Sequence, residues 1–179
     1  MHGDFMCRPQ LGSGYLPDWF KDGVQKMTDA TLAPNLPGWM LEHVNRYLSS
    51  GGIDGHMYKV TPPGYAEMMV PSLLLTTTGR KSGQRFIFPL FYGMTGDSHF
   101  IVASKGGAPD HPGWYKNLLA NPDVEVQVGT RKFKVRARTT NGAERARLWQ
   151  EALKFWPPYA DYEKKTEREI PVVVLDPLA

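Results

Sequence analysis

From Met68 to Ser104 the chain holds three apolar, β-rich segments, separated only by very short turns. "VPSLLLTTT" passes through "GRKSG" into "QRFIFPLFYGM", and Gly96-Asp97 then leads into "SHFIVAS". A parallel pair needs a crossover of about a dozen residues, so these strands have to pair antiparallel, as a meander of hairpins. Downstream, "VEVQVG" and "RKFKVRART" alternate strictly and form another hairpin. "IPVVVLD" is apolar without alternation, the pattern of a strand buried on both faces. The sum is about six strands with a few helices at the edges, an α+β chain best met by a small antiparallel barrel, closed or nearly so.

Helical spacing appears at Leu36, Met40, Val44, Tyr47 and Leu48, with Asn35 and Pro37 as a start and Gly51-Gly52 as a stop. One apolar stripe is what most surface helices carry, so a helix lying on the domain is expected, with a lid or a membrane-surface helix as the sharper alternative. Pro112 opens a short helix through Leu119, stopped at Asn121-Pro122. Asn141 with Glu144 resembles a capping box for a helix through Phe155, with Ala146, Trp149, Leu153 and Trp156 as its buried stripe. Pro157-Pro158 break it, and "YADYEKKTERE" is a short helical piece. The chain thus divides into an N-terminal extension without a motif (1–30), an amphipathic helix and connection (31–66), and a barrel (67–179).

Charge narrows the ligand. A formal net charge of +3 over 179 residues suits an anionic ligand and falls short of a nucleic-acid profile. One cysteine, Cys7, allows neither a disulfide framework nor a cysteine metal cluster, so a reducing, cytoplasmic setting is expected. The N-terminal stretch has no apolar run long enough for a signal peptide or membrane span. Nucleophile elbows, paired catalytic carboxylates and dinucleotide glycine motifs are absent.

Four clusters could carry chemistry. Gly79-Arg80-Lys81-Ser82-Gly83 is either a solvated hairpin tip or a turn whose amides, charges and hydroxyl hold an anion. In "VASKGGAPDHPGWYKNL", Lys105 stands at a strand end, Gly106-Gly107 allow a sharp turn, and Pro112 starts a helix whose free N–H groups favour an anion. His111 in that stretch reads as a loop hydrogen-bonder, and no second histidine or cysteine lies at metal spacing, so no metal is expected. Tyr159 and Tyr162 are three apart and share a helical face, either as packing or as phenols over a bound ligand. Lys132, Lys134, Arg136 and Arg138 occupy one strand face, which reads as a solvated outer surface.

Three segments together, "LLLTTTGRKSGQ" with the following "PL" (Leu73 to Leu90), "VASKGGAPDHPGWYKNL" (Val102 to Leu118) and "IPVVVL" (Ile170 to Leu175), resemble the deazaflavin (F-420)-dependent nitroreductase family of mycobacteria and other actinobacteria. The resemblance implies a split β-barrel related to the pyridoxamine-phosphate oxidase fold. It implies coenzyme F-420 and hydride transfer to a quinone, an activated alkene or a nitroaromatic. Arg80, Lys81 and Ser82 would meet the anionic tail of the cofactor. Phe86, Ile87, Phe88, Pro89, Leu90 and Phe91 would line it. Val102, Ala103, Ser104 and Lys105 would lie under the ring, and Gly113, Trp114, Tyr115, Lys116 and Asn117 near the phosphate and ring edge. Tyr159, Tyr162 and Ser104 are the catalytic candidates. Two departures stand out: Phe86 sits where relatives often carry a basic residue, with Arg85 beside it, and Trp156 opens the aromatic cluster in place of a tyrosine. The alternatives are an FMN-binding relative on the same fold and a non-catalytic deazaflavin or lipid carrier. A peripheral contact at the inner membrane face through helix 36–50 is a further expectation.

Overall fold

A computed structural model describes residues 29–179. The expected N-terminal extension lies outside the described residues, apart from Asp29 and Ala30. Eight strands form: β1 (Ala30–Leu32), β2 (Met57–Val60), β3 (Met68–Thr78), β4 (Arg85–Thr95), β5 (Ser98–Val102), β6 (Asp123–Val128), β7 (Arg131–Thr139) and β8 (Val172–Pro177). Among the described residues four α-helices accompany them: α1 (Gly38–Ser49), α2 (Gly113–Ala120), α3 (Gly142–Phe155) and α4 (Tyr159–Lys164).

Strands β4, β5, β8, β7, β6 and β3 follow one another around the sheet, and pairing of β3 with β4 closes the ring. Every pair within this six-stranded barrel is antiparallel, as the short turns require. The fold is thus the expected α+β split barrel with flanking helices. Two short strands were not foreseen. β1 adds to β4 in parallel, and β2 pairs with the first residues of β3.

Alternation decides which side chain goes where. On β5, Ile101 points into the barrel, where it meets Leu73, Leu75, Val126, Val135 and Leu175. Its neighbours Phe100 and Val102 point outward, beneath Leu148, Trp149 and Ala152 of α3. β8 is apolar on both faces for the same reason: Val173 and Leu175 turn inward, while Val172 and Val174 turn toward α3. Burying such side chains contributes about 1.5–3 kcal/mol each, so the barrel has a well-supplied core.

α3 corrects two expectations. The capping box does not form, because Asn141 makes no side-chain cap and Arg138 takes both oxygens of Glu144 at 2.8 and 2.9 Å. The buried stripe is Leu148, Trp149 and Ala152, followed by Trp156, while Ala146 is exposed and Leu153 only partly covered. Arg145 lies over Trp149, its guanidinium carbon 5.2 Å from the ring centroid, and donates to the Ile170 carbonyl at 2.8 Å. The cationic row Lys132, Lys134, Arg136 and Arg138 is exposed on the outer sheet face, as expected.

α1 lies across the outside of the barrel, with Val44 and Tyr47 buried beneath it and Tyr47 bonded to the strand backbone. Tyr47 is fully buried. Its hydroxyl accepts from the Gly129 N–H at 2.7 Å and shares its own proton between the carbonyls of Ser72 and Gln127 at 3.2 and 3.3 Å. Burial pushes this phenol up to about 12, so it stays a neutral donor.

Candidate functional site

A cavity of about 540 Å³ lies between α1 and the outside of the barrel. Its floor is the β4 stretch Phe88, Pro89, Leu90 and Phe91, with Val102 from β5. One rim is Ser104, Lys105 and Gly106, continued by Pro112, Gly113 and Trp114 at the start of α2. Tyr159 and Tyr162 of α4, with Trp156, close the far side. Trp39, Met40 and His43 of α1 form the roof, reached through the loop Asn35–Pro37.

Most of the expected residues come together here. Phe88, Pro89, Leu90, Phe91, Val102, Ser104, Lys105, Gly113, Trp114, Tyr159 and Tyr162 all line the cavity. Others do not. Ile87 packs beneath α1 with Val44, Tyr47 and Leu74. Ala103 is buried inside the barrel, and Tyr115 shares that core while its hydroxyl meets Thr139 Oγ1 at 3.0 Å. Phe86 packs against Gly79, and Lys116 sits on the outer flank of α2 near His111. Arg85, the charge beside Phe86, lies 3.7 Å from Glu125 on β6 and does not reach the cavity.

Asn117 connects two of the clusters. Its Oδ1 accepts from the Arg80 N–H and Nη1 at 3.3 and 3.2 Å, and its Nδ2 donates to Thr77 Oγ1 at 3.1 Å. The turn 79–83 and helix α2 are thus locked to each other by a buried amide. Lys81 and Ser82 stay exposed at the tip of that turn, beyond the cavity lining.

The start of α2 offers an anion seat. Pro112 caps it without a side-chain bond, and the first amides of any helix lack partners within it. Nothing lies within 4 Å of where a Gly113 side chain would stand, so a ligand can approach its backbone. Lys105 adds an exposed cation on the same rim.

The aromatic side is dry. Tyr159 is buried, with its ring edge-on to Tyr162 at 6.1 Å. Burial, then Tyr162, hold its phenol well above the ordinary tyrosine range, so it keeps its proton and can donate it in a hydrogen bond. Trp156 packs on Phe91 at 4.7 Å and fills the volume that a phenol would have shared.

The roof residues are the ones sequence reasoning missed. His43 has Nε2 within 2.8 Å of the Gly55 carbonyl and 2.9 Å of Ser72 Oγ, and its ring stacks on Tyr58 at 4.0 Å. A carbonyl can only accept, so Nε2 carries the proton. Burial lowers the histidine's pKa, against the opposing effect of the Gly55 bond. Among the described residues no group of three His, Cys, Asp or Glu side chains could hold a metal ion, and no helix is long and apolar enough to cross a membrane.

Residues 39–177 match the F420H(2)-dependent quinone reductase family. The chain belongs to that family. An F420H(2)-dependent quinone reductase of Mycobacterium tuberculosis is 45% identical over 132 residues, which cover 72% of this chain and 83% of the relative. A solved F420-H2 dependent reductase (FDR-A) is 45% identical, with a TM-score of 0.56 over 59% of this chain and 94% of that one. A solved chain described as a domain-swapped dimer is 40% identical, with a TM-score of 0.57 over 77% of this chain and 97% of the other. The stretch that matches this quinone reductase family spans the roof from Trp39 to the end of β8 and so takes in most of the cavity wall.

Proposed function

We propose that the cavity seats reduced coenzyme F-420 beside a quinone, and that the chain is an F-420-dependent quinone reductase. The observation that carries this is an aromatic cavity with a cationic rim, in a chain of the quinone reductase family. The residues fit the cofactor's chemistry. A planar ring suits the apolar and aromatic lining that includes Phe88, Leu90 and Trp114, and an anionic tail suits Lys105, the first amides of α2, and Arg80 and Lys81 on the turn bonded to α2. When bound, the reduced deazaflavin supplies a hydride, a two-electron step.

The protein's own groups do the rest. The roof and the Trp156–Phe91 pair keep water from the reacting face. Tyr159, held protonated by its burial, donates to the acceptor oxygen where negative charge develops. Ser104 offers a second hydroxyl from the opposite rim, and Lys105 balances the charge of the cofactor. Trp39 and Leu41, 41% and 37% exposed on α1, stand at or next to the roof and favour transient contact with a bilayer, where lipid-soluble quinones reside.

The test mixes the protein with reduced F-420 and a quinone, an enone or a nitroaromatic, and follows cofactor oxidation by absorbance. Turnover is expected with the quinone, and Tyr159→Phe should lower kcat on the order of 10²-fold, the scale of one lost acid or oxyanion donor. Binding without turnover of any acceptor would leave a carrier. A purified protein holding tightly bound yellow FMN would point to the flavin relative.

A further inference from the structure

The turn that follows β5 is the most contorted backbone around the cavity. Lys105, Gly106 and Gly107 all take positive φ, at 48°, 63° and 82°. A lysine rarely adopts that region. A side chain on Gly107 would come within 2.6 Å of the Tyr162 carbonyl oxygen, so the turn is pressed against α4. Backbone of this kind persists only where its surroundings hold it.

Arg168, in the connection between α4 and β8, does the holding. Its Nη2 donates to the carbonyls of Ala103 and Ser104 at 3.2 and 2.8 Å, and its Nε to the carbonyl of Ala108 at 2.9 Å. One planar fork therefore grips the chain on both sides of the turn. The remaining arm, Nη1, lies 3.1 Å from His111 Nδ1. A guanidinium can only donate, so Nδ1 must accept and the imidazole must be neutral. Burial favours that neutral form, as do Arg168 itself and Lys116 of α2, with only Asp110 opposing. The Tyr115 ring covers the imidazole at 5.0 Å.

We propose that Arg168 is a positioning residue for the cofactor seat: its fork holds the Ser104–Gly107 turn in the shape that presents Ser104 and Lys105 to the cavity, and neutral His111 completes the fork. This rests on the reading that the turn meets the cofactor. A lysine at 168 keeps the charge but has no planar fork to span the carbonyls. Protonation of His111 turns its acceptor into a donor facing a cation and frees one arm. Because burial and the neighbouring cations lower the histidine's pKa from its ordinary value, the fork is complete at neutral pH and is lost only as pH falls through that lowered pKa.

Two measurements test this on the full chain. The first is optical titration with F-420 from about pH 8 to about pH 5. Arg168→Lys should weaken binding about tenfold or more at neutral pH, the scale of a lost charge-assisted contact. Wild-type affinity should fall on the acid side. His111→Asn, whose amide oxygen can accept the same bond but cannot titrate, should flatten that acid limb. The second is hydrogen exchange at the Gly107 amide, which bonds the Ser104 carbonyl at 3.0 Å and needs no cofactor. Arg168→Lys should speed it. Unchanged affinity and exchange in Arg168→Lys, or an acid limb that survives in His111→Asn, would overturn the proposal. Failure of the wild type to bind F-420, with the exchange effect intact, would instead sink the functional reading and leave the grip of Arg168 on the turn standing.

Discussion

The two walls of the cavity are built by opposite means. The floor is a pair of barrel strands: β4 is laddered to β3 and β5, and β5 to β4 and β8. The roof is one helix, whose C-terminal half is buried at Val44 and Tyr47 while its N-terminal half carries exposed Trp39 and Leu41 over the opening. Where α1 overlies the cavity, His43 ties it to Ser72 Oγ of β3 at 2.9 Å, while the first turn, at Trp39, has only ring stacking on Tyr58 and Phe91 and the long 3.5 Å contact from the Tyr58 hydroxyl to the Trp39 carbonyl. The lesson is that shape and stability are supplied by different walls. The floor cannot give without opening the barrel, whereas the free end of the roof can move while the core stays intact.

That contrast can be broken by measurement. The largest effect should come from the barrel: Leu75→Ala, at a fully buried position, should cost about 2–5 kcal/mol in denaturant unfolding. A loss below about 1 kcal/mol would mean that the barrel core is not the source of stability. Next comes the pin of the roof. Tyr47→Phe leaves the Gly129 N–H without its partner and should cost about 1–3 kcal/mol. The smallest effect on stability belongs to Trp39→Ala, within about 0.5 kcal/mol as at other exposed sites. Its signature should be a several-fold rise in KM for the quinone, with the affinity for F-420 little changed. If Trp39→Ala instead destabilised the chain as much as Leu75→Ala, roof and floor would be one unit.

How much of this could be read from residue order follows the same division. The barrel strands from β3 to β8 were legible because turn length forbids parallel pairing and alternation marks the inward face. The rim was legible because Lys105, the glycines and the start of α2 are adjacent in sequence, whereas the floor, Phe88 to Phe91 with Val102, was expected only from the family resemblance. β1 and β2, three and four residues long, are too short to show a period. The roof escaped because amphipathicity says that a helix has a buried face, not what its free end overhangs. The stripe of α3 was read out of phase, since Trp149 fits either register, and it is Leu148 and Ala152 that pack with it on the outward side chains of β5 and β8. Arg168 carried no signal: in "EKKTEREI" it reads as one more solvated charge, and its partners are backbone carbonyls 60 or more residues away.

The anchor at Tyr47 also bears on how such a chain can diversify. Its hydroxyl engages only backbone groups, two carbonyls and one N–H, which any sequence on β3 and the β6–β7 turn would present. Residues of the first turn of α1, before His43 with its Ser72 Oγ partner, can therefore drift without matching changes in the hydrogen bonds below. Acceptor preference becomes a trait inherited almost independently of the scaffold, and new specificities can arise one roof residue at a time.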